Sequence, residues 1–237
     1  MRAIVLAAGL GTRLKPLTEN CPKCLVTLKG KTLIDYQLDA LEWAGIDDVV
    51  VVIGAKADQI RAHCGNRVRY IENNEFSTTN SIYSLYLAAH ELSDEVFLFN
   101  CDILFDPNVL TKMLDVPKGN VLAVDTKVER VRDEMNVRFD LEGKIIEISK
   151  KLEPTRAQAQ SVQLIKFDSL GARMLREEVA RLIQANNTET FPTEAYGPIL
   201  KSLGIFIADV SDYAWGEIDN IKDYRHVCDY VVPALGI

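Results

Sequence analysis

A continuous run of β-branched residues over 49–53, VVVVI, constrains the fold more than any other part of the chain. A half-exposed strand alternates apolar and polar residues, whereas an unbroken run is typical of a parallel strand covered on both faces. Similar apolar segments lie at 3–8 and 96–99. The three apolar segments are separated by stretches in which apolar residues recur at the spacing of an α-helix, such as 33–41. This alternation predicts an α/β fold of three layers, α/β/α, around a mostly parallel central sheet.

The pattern changes after residue 125. Segments 137–139 and 145–148, with a turn at Leu141-Glu142-Gly143 between them, predict a small β-hairpin. A strand over 161–167, a long helix over 169–185, a helix over 193–202 and a final helix from Ile221 follow. Because neither an internal repeat nor a low-complexity linker interrupts the chain, we expect a single domain over 1–237, with a first part over 1–125 and a second over 126–237.

Composition limits the partners. The formal net charge of the 237 residues is −7, which disfavours a nucleic-acid partner, and no apolar run approaches the roughly 18 residues of a membrane span. The five cysteines are scattered, which argues against a disulfide framework. Gly9, Gly11 and Arg13 interrupt the apolar start, so a buried strand fits it better than a secretion signal. We therefore expect a cytoplasmic protein without nucleic-acid or membrane partners.

A glycine turn follows the first predicted strand, at the place where α/β folds bind phosphates. It reads Gly9-Leu10-Gly11-Thr12-Arg13-Leu14. A dinucleotide fingerprint needs a third glycine where Leu14 stands. A P-loop ending at Gly30-Lys31-Thr32 would need its first glycine where Leu25 stands. The turn therefore belongs to neither of these two phosphate-binding motifs.

The longer string around this turn is more specific. Residues 6–25 read LAAGLGTRLKPLTENCPKCL, which resembles the signature of the nucleotide-diphospho-sugar transferase superfamily, and most of all its branch of CTP:phosphocholine cytidylyltransferases. The resemblance implies a Rossmann-like nucleotidyltransferase fold whose first part binds the nucleotide and whose second part binds the acceptor. It also implies nucleotide contacts from Leu6, Ala7, Ala8, Gly9, Gly11, Thr12, Arg13 and Lys23.

These residue types suit a triphosphate. Small residues let backbone N–H groups approach phosphate oxygens closely. Arg13 offers a planar fork for the β- and γ-phosphates, which leave as pyrophosphate, and Lys23 can neutralise charge around the α-phosphate. Either side chain alone could be a surface charge. Because both occur in a segment that resembles the superfamily signature, we expect both to be catalytic.

Segment 79–87, TNSIYSLYL, begins a predicted helix and resembles the helix start that contacts the base in the phosphocholine branch. Sugar-activating members of the superfamily have a glycine-rich helix start there instead. The resemblance therefore implies that CTP is the nucleotide substrate and that Asn80 and Ser84 contact its cytosine base. The alternative is that Asn80 or Ser81 caps the helix.

Two distant acids are the expected ligands of Mg²⁺. Asp102 ends a buried strand at the position that holds Mg²⁺ in the superfamily, although Cys101 replaces the usual glycine before it. Asp219 lies in a Glu-Ile-Asp segment before the last helix, which it could instead cap, and Glu217 is a third candidate. Carboxylate oxygens are ligands that Mg²⁺ prefers.

The resemblance places Lys150 against the phosphate of the acceptor, although Lys151 and a solvated basic pair are alternatives. Met135 stands where an aromatic residue would help to hold choline, which weakens that part of the site. The remaining candidates for binding an ammonium group are Glu134, Glu194, Tyr196 and Trp215.

Together these features predict a Mg²⁺-dependent cytidylyltransferase that joins CTP to a phosphorylated, amine-bearing small molecule and releases pyrophosphate. Phosphocholine is the leading acceptor; aminoethylphosphonate, an amino-acid phosphate and inositol phosphate stay open. The alternative is a sugar-1-phosphate nucleotidylyltransferase that uses UTP, dTTP or GTP. A non-catalytic binding subunit should have lost Lys23 or the acids, and all are present. The sequence indicates no oligomeric state.

Overall fold

The computed structural model describes residues 1–236. The strands are β1 (Arg2–Ala7), β2 (Thr27–Leu28), β3 (Lys31–Thr32), β4 (Asp48–Ile53), β5 (Arg69–Glu72), β6 (Val96–Asn100), β7 (Ile103–Phe105), β8 (Val121–Asp125), β9 (Asn136–Phe139), β10 (Ile145–Ser149), β11 (Ala159–Phe167), β12 (Phe206–Asp209) and β13 (Trp215–Glu217). The α-helices are α1 (Leu33–Trp43), α2 (Ala57–Cys64), α3 (Ser81–Leu87), α4 (Asn108–Asp115), α5 (Ser169–Gln184), α6 (Gly197–Ser202), α7 (Ile221–His226) and α8 (Val232–Ala234). A π-helical turn over Val227–Val231 joins the last two helices.

A nine-stranded sheet forms the middle layer, with the path β10-β9-β11-β6-β1-β4-β5. Strands β6, β1, β4 and β5 are parallel neighbours. Strand β11 pairs antiparallel with β6, β8 and β9, and β12 is parallel to β8. The predicted parallel centre is confirmed, and the predicted hairpin is the antiparallel pair β9–β10 at one end of the sheet.

Strand β1 shows why its sequence is apolar throughout. Ala3 and Val5 pack in a cluster with α1, α2 and α4, whereas Ile4 and Leu6 pack in a cluster with α3, α5 and α6. Successive strand side chains point to opposite faces, so a strand between two helical layers needs apolar residues at both. The three-layer arrangement is confirmed.

A third apolar cluster joins the two ends of the chain. Leu14 and Leu33 from the first part pack with Ile218, Val227 and Val231 from the last. Residues just before α7 are thereby held beside the loop that follows β1. This packing brings distant polar residues to one place.

Some elements differ from the sequence prediction. The helix expected over 193–202 is a 3-10 turn at Pro192–Ala195 followed by α6, whose first turn contains Pro198. Proline has no N–H to bond the previous turn, so it favours a helix start over a helix interior. The short strands β7 and β13 were not predicted. Within residues 1–236 no helix combines the length and the apolarity needed to cross a membrane.

Candidate active site

A cavity of about 650 Å³ opens at the carboxyl ends of β1 and β6. This edge of a parallel sheet is the usual ligand site in α/β folds. Many of the residues singled out in the sequence line it: Leu6, Ala8, Gly9, Gly11, Thr12, Arg13, Lys23, Asn80, Ser84, Asp102, Lys150, Tyr196, Glu217 and Asp219. Ala7 does not line the cavity, because successive side chains point in opposite directions. The Ala7 side chain packs in the core, whereas those of its neighbours Leu6 and Ala8 line the cavity.

The glycine loop is held from two sides. Gly11 has a φ of +62°, which favours glycine, and its carbonyl accepts a hydrogen bond of 2.7 Å from Thr18 Oγ1. On the other side, a Cβ at Gly54 would lie 2.8 Å from the Ala8 carbonyl oxygen. That carbonyl accepts a hydrogen bond of 3.0 Å from the Ala55 N–H. The end of β4 therefore supports the loop directly.

Lys56 supports the segment that leads from the loop to Lys23. Its Nζ atom donates to the carbonyl oxygens of Thr18, Glu19 and Cys21 at 2.6, 2.8 and 3.3 Å. These contacts were not predicted from the sequence. The structure shows that Lys56 binds backbone carbonyl groups of the segment between the glycine loop and Lys23.

Lys23 and Arg13 meet the two predicted acids. Lys23 Nζ lies 2.8 Å from Asp102 Oδ2 and 2.9 Å from Asp219 Oδ1. Arg13 Nη2 lies 3.0 Å from the same Asp219 oxygen, although most of the Arg13 side chain is exposed. Burial alone would lower the pKa of Lys23, but the Asp102 and Asp219 carboxylates outweigh it and raise that pKa well above its ordinary value. Lys23 is therefore charged at neutral pH.

The pairing of β7 with β13 brings these acids together. Glu217 lies opposite Ile103 in the antiparallel pair, and the Ile218 N–H donates to the Asp102 carbonyl at 2.9 Å. The cap of α7 is Asn220, whose side chain accepts from backbone N–H groups of its first turn. The alternative that Asp219 caps this helix is therefore wrong, and its carboxylate is left to face Lys23.

Three carboxylates form one cluster. Asp102, Glu217 and Asp219 each offer an oxygen within 4.8 Å of the others. Burial and the two neighbouring aspartates raise the pKa of Glu217 to about 8. Burial also acts to raise the pKa of Asp219, but Lys23 and Arg13 outweigh it and hold that pKa below its ordinary value.

The cluster fits a divalent cation bound by oxygen atoms. Asp102 Oδ1 is buried and has no hydrogen-bond partner among residues 1–236, so it retains a free acceptor. The three side chains place carboxyl oxygens within 4.8 Å of one another, and Lys23 and Arg13 contact only the two aspartates, which leaves Glu217 without a cationic partner in the described part of the chain. Carboxylate oxygens of this kind suit Mg²⁺ and other hard cations.

The predicted base-binding residues lie at the start of α3. Asn80 is the N-cap of this helix; its Oδ1 accepts from the Ser81 N–H at 2.7 Å, as the capping alternative predicted. Ser84 is buried, and its Oγ accepts from Asn73 Nδ2 at 3.1 Å, which leaves its own hydroxyl proton free to donate. Asn73 also lines the cavity and was not predicted.

The acceptor side is formed by the second part of the chain. Lys150 Nζ lies 5.4 Å from the centre of the Phe191 ring, and both residues line the cavity. Lys151 is exposed and is not part of the lining. The buried Tyr196 also lines the cavity, and its ring packs edge to face on Phe167 at 5.4 Å between centroids.

Three expected acceptor residues lie outside the lining. Trp215 instead donates from Nε1 to Asp125 Oδ2 at 2.8 Å. Glu194 is exposed on its 3-10 turn, and Met135 lines the cavity in place of its neighbour Glu134. The structure therefore does not bring these three predicted side chains to the cavity.

Several lining residues were not predicted: Asn73, Phe76, Asn100, Ser161, Gln163, Phe191 and Thr193. Polar residues at 161 and 163 inside an apolar strand were a visible signal for two of them. The others lie in loops or at strand ends whose positions depend on tertiary packing.

The chain is similar to several known proteins. Residues 3–190 match the MobA-like NTP transferase domain. The choline-phosphate cytidylyltransferase of Streptococcus pneumoniae is 27% identical over 229 residues, which cover 95% of this chain and 96% of that protein. The CTP:phosphoglutamine cytidylyltransferase of Campylobacter jejuni is 30% identical over 184 residues, 70% of this chain and 73% of that protein.

The CMP-5'-(3-aminopropyl)phosphonate synthase of Streptomyces rubellomurinus is 28% identical over 239 residues, which cover 95% of this chain. That relative is longer, and this chain spans only 38% of its length. Among solved structures, the CTP:phosphocholine cytidylyltransferase of Streptococcus pneumoniae has the same fold, with a TM-score of 0.78 at 24% identity, covering 96% of this chain and 97% of that one. These matches confirm the resemblance found in residues 6–25: the chain belongs to the family of MobA-like NTP transferase domains.

Proposed function

We propose that the protein transfers CMP from CTP to a phosphorylated, amine-bearing small molecule and releases pyrophosphate. The observation that carries this proposal is the meeting of the glycine loop, Lys23 and the three carboxylates at one end of a single cavity. Support for CTP and for such an acceptor comes from relatives named for choline phosphate, phosphoglutamine and aminopropylphosphonate.

The reaction needs no nucleophile from the protein. An oxygen of the acceptor's phosphate or phosphonate attacks the α-phosphorus of CTP and forms a new P–O bond. The bond from that phosphorus to the oxygen bridging to the β-phosphate breaks, and pyrophosphate leaves with the bonding electrons. Because both reactants are anions, the protein's task is to hold them together and in line, which can contribute about 7–11 kcal/mol.

Four features of the chain perform that task. Backbone N–H groups of the glycine loop bind the triphosphate, and Arg13 lies beside it for the departing phosphates. Lys23 stabilises the charge that develops around the α-phosphorus. Lys150 holds the acceptor's phosphate on the other side of the cavity. We assign nucleotide binding to residues 1–125 and acceptor binding mainly to 126–237, because the second part supplies Lys150, Phe191 and Tyr196 to the lining.

We further propose that Asp102, Asp219 and Glu217 hold Mg²⁺. A cation bound there supplies positive charge to phosphate oxygens. The free acceptor on Asp102 Oδ1 and the proximity of the three carboxyl groups support this assignment.

An assay of pyrophosphate release tests the proposal. The purified protein is incubated with Mg²⁺, each of CTP, UTP, dTTP and GTP, and each of phosphocholine, aminoethylphosphonate, an amino-acid phosphate and glucose 1-phosphate. We expect release with CTP and at least one amine-bearing acceptor, and mass spectrometry should find the matching CMP-linked product.

The same panel can contradict the proposal. Release with glucose 1-phosphate and UTP, dTTP or GTP, but none with CTP and the amines, would identify a sugar-1-phosphate nucleotidylyltransferase instead. The Lys23→Met variant, prepared identically, controls for a contaminating activity.

A further inference from the structure

A row of three polar side chains crosses the cavity from one strand end to another. Asn100, at the end of β6, donates from Nδ2 to Gln163 Oε1 at 3.1 Å. Gln163, in β11, donates from Nε2 to Glu217 Oε2 at 2.7 Å. All three residues line the cavity. The row therefore links the strand that leads to Asp102 with the strand that carries Glu217.

The orientation of the Gln163 amide follows from its two partners. Glu217 Oε2 accepts from Gln163 Nε2 at 2.7 Å, so the Gln163 NH₂ group faces the Glu217 carboxyl group. The Gln163 oxygen then receives the Asn100 NH₂ group, and each group in the row finds a complementary partner. A single bond to Oε2 leaves the other Glu217 oxygen free for a ligand.

The backbone of Gln163 has an uncommon conformation that turns its side chain to this place. Its φ is +62°, which few residues other than glycine adopt. The pairing of β11 with β8 shifts register between Ser161 and Ile165, and Ser161 Oγ accepts from the Gln163 N–H at 2.9 Å. Bulges of this kind redirect a side chain next to a site. A strained non-glycine residue that lines a cavity is a candidate for function.

A second buried amide holds the other end of the row. Gln37 Nε2 donates to the carbonyl oxygens of Asn100 and Ile103, at 3.2 and 2.8 Å. These bonds lie on both sides of Asp102 in the chain. The backbone around Asp102 and the side chain of Glu217 are thus connected through Asn100 and Gln163.

We propose that Gln163 is a positioning residue that holds Glu217 in the carboxylate cluster and thereby sets the affinity of the cluster for a divalent cation. This inference rests on the cation site of the proposed function. Side chains that orient metal ligands typically change metal affinity 10–100-fold when they are replaced.

Two substitutions separate the side chain from the backbone. Gln163→Asn keeps an amide and suits a positive φ, but it is one methylene too short to join both partners. Gln163→Met keeps the length and removes both hydrogen bonds. Gln160→Asn is the matched control, since Gln160 lies in the same strand and is not part of the lining.

The experiment measures binding of Mn²⁺ alone to the intact protein, from the loss of the electron paramagnetic resonance signal of free aqueous Mn²⁺. We expect Gln163→Asn and Gln163→Met to bind Mn²⁺ about 10–100-fold more weakly than wild type, with the thermal midpoint of Gln163→Asn unchanged. The control should bind like wild type. In turnover, raising Mg²⁺ should restore kcat of both variants, with little change in KM for CTP.

Other results overturn the inference. Wild-type Mn²⁺ affinity in both variants would show that Gln163 does not support the cluster, while the proposed transfer reaction stands. The same affinity with a raised KM for CTP or acceptor would make Gln163 a substrate contact instead. If wild type itself bound no Mn²⁺, both the cation site and this role would be wrong, whereas the pyrophosphate assay would still test the reaction.

Discussion

Lys23 Nζ lies 2.8 Å from Asp102 Oδ2, so a loop lysine neutralises a carboxylate at the end of the sixth strand. Both side chains are mostly buried, at 12% and 17% exposure. The ammonium group occupies the space between Asp102 and Asp219, next to the place where the α-phosphate is expected. Lys23 is therefore expected to act on stability as well as on catalysis.

Replacing Lys23 by methionine should affect both. We expect kcat to fall about 10²–10³-fold, the usual effect of removing one group that stabilises developing charge. Without metal, the thermal midpoint should fall, because Asp102 and Asp219 lose their shared partner. Differential scanning fluorimetry with and without Mg²⁺ checks this: the cation should raise the midpoint of the variant more than that of wild type. Equal shifts would contradict it.

Gly9 and Gly11 should respond differently to alanine. A Cβ at Gly9 meets nothing within 4 Å, so Gly9→Ala should fold normally while its methyl group obstructs the triphosphate. We expect KM for CTP to rise roughly tenfold, the effect of losing about 1.5 kcal/mol of a charged hydrogen bond.

Gly11→Ala adds strain to the fold itself, since φ is +62° and the new Cβ would lie 3.2 Å from Thr18 Cγ2. Alanine there costs about 1–2 kcal/mol, or about 2–8 °C in thermal midpoint. Thermal unfolding and CTP titrations of the pair check these expectations. A stability loss in Gly9→Ala equal to that in Gly11→Ala would contradict them.

Lys150 and Lys151 form a matched pair for the acceptor. Lys150 lines the cavity beside Phe191, whereas Lys151 is exposed outside it. We expect Lys150→Ala to raise KM for the phosphorylated acceptor tenfold or more, as about 1.5–3 kcal/mol of charged hydrogen bonding is lost, with KM for CTP little changed. Lys151→Ala should leave both constants unchanged. Steady-state kinetics decide it; a larger effect from Lys151 would reverse the assignment.

Stability should depend on Glu91 at acidic pH. Its buried carboxylate contacts Arg2, Arg69 and the exposed His90, and the hydrogen bond from Arg69 is the main reason that its pKa lies below the ordinary 4.5. Because the folded pKa is the lower one, this stabilisation is complete above about pH 4.5 and is lost as pH falls through the folded pKa.

Denaturant unfolding of wild type and Glu91→Gln over pH 3–7 measures this contribution. Wild type should be the more stable protein at neutral pH, and the difference in free energy of unfolding should shrink below about pH 4.5. Asp48, which Arg2 and Arg69 also contact, is present in both proteins and cancels in the comparison. A difference that is constant with pH would contradict the assignment.

Much of the fold was predictable, because burial on both faces leaves a local mark in the sequence. The run at 49–53 and the apolar segment at 96–99 are strands β4 and β6, and the long helix predicted over 169–185 is α5. The short strands β7 and β13 left no such mark. Each has three residues, and they pair only because the last part of the chain packs on the loop after β1.

The residues of the candidate site also fall into those that the sequence predicted and those that it did not. Arg13 and Lys23 were visible because one short segment carries the loop and both cations. Asp102 and Asp219, which both contact Lys23 in the structure, were visible through their strand-end and helix-start positions. Glu134, Glu194 and Trp215 were also predicted to bind the acceptor, but none of them lines the cavity.

The amino-acid sequence by itself determined the layered α/β architecture and the glycine loop after the first strand, since both depend on residues that are close along the chain. Only the tertiary structure decided that Lys23 bridges two acids, that Lys56 supports the loop, and that Gln163 reaches Glu217. Such contacts join residues far apart in sequence. Their geometry depends on how whole strands and helices pack, which no local pattern of residue types records.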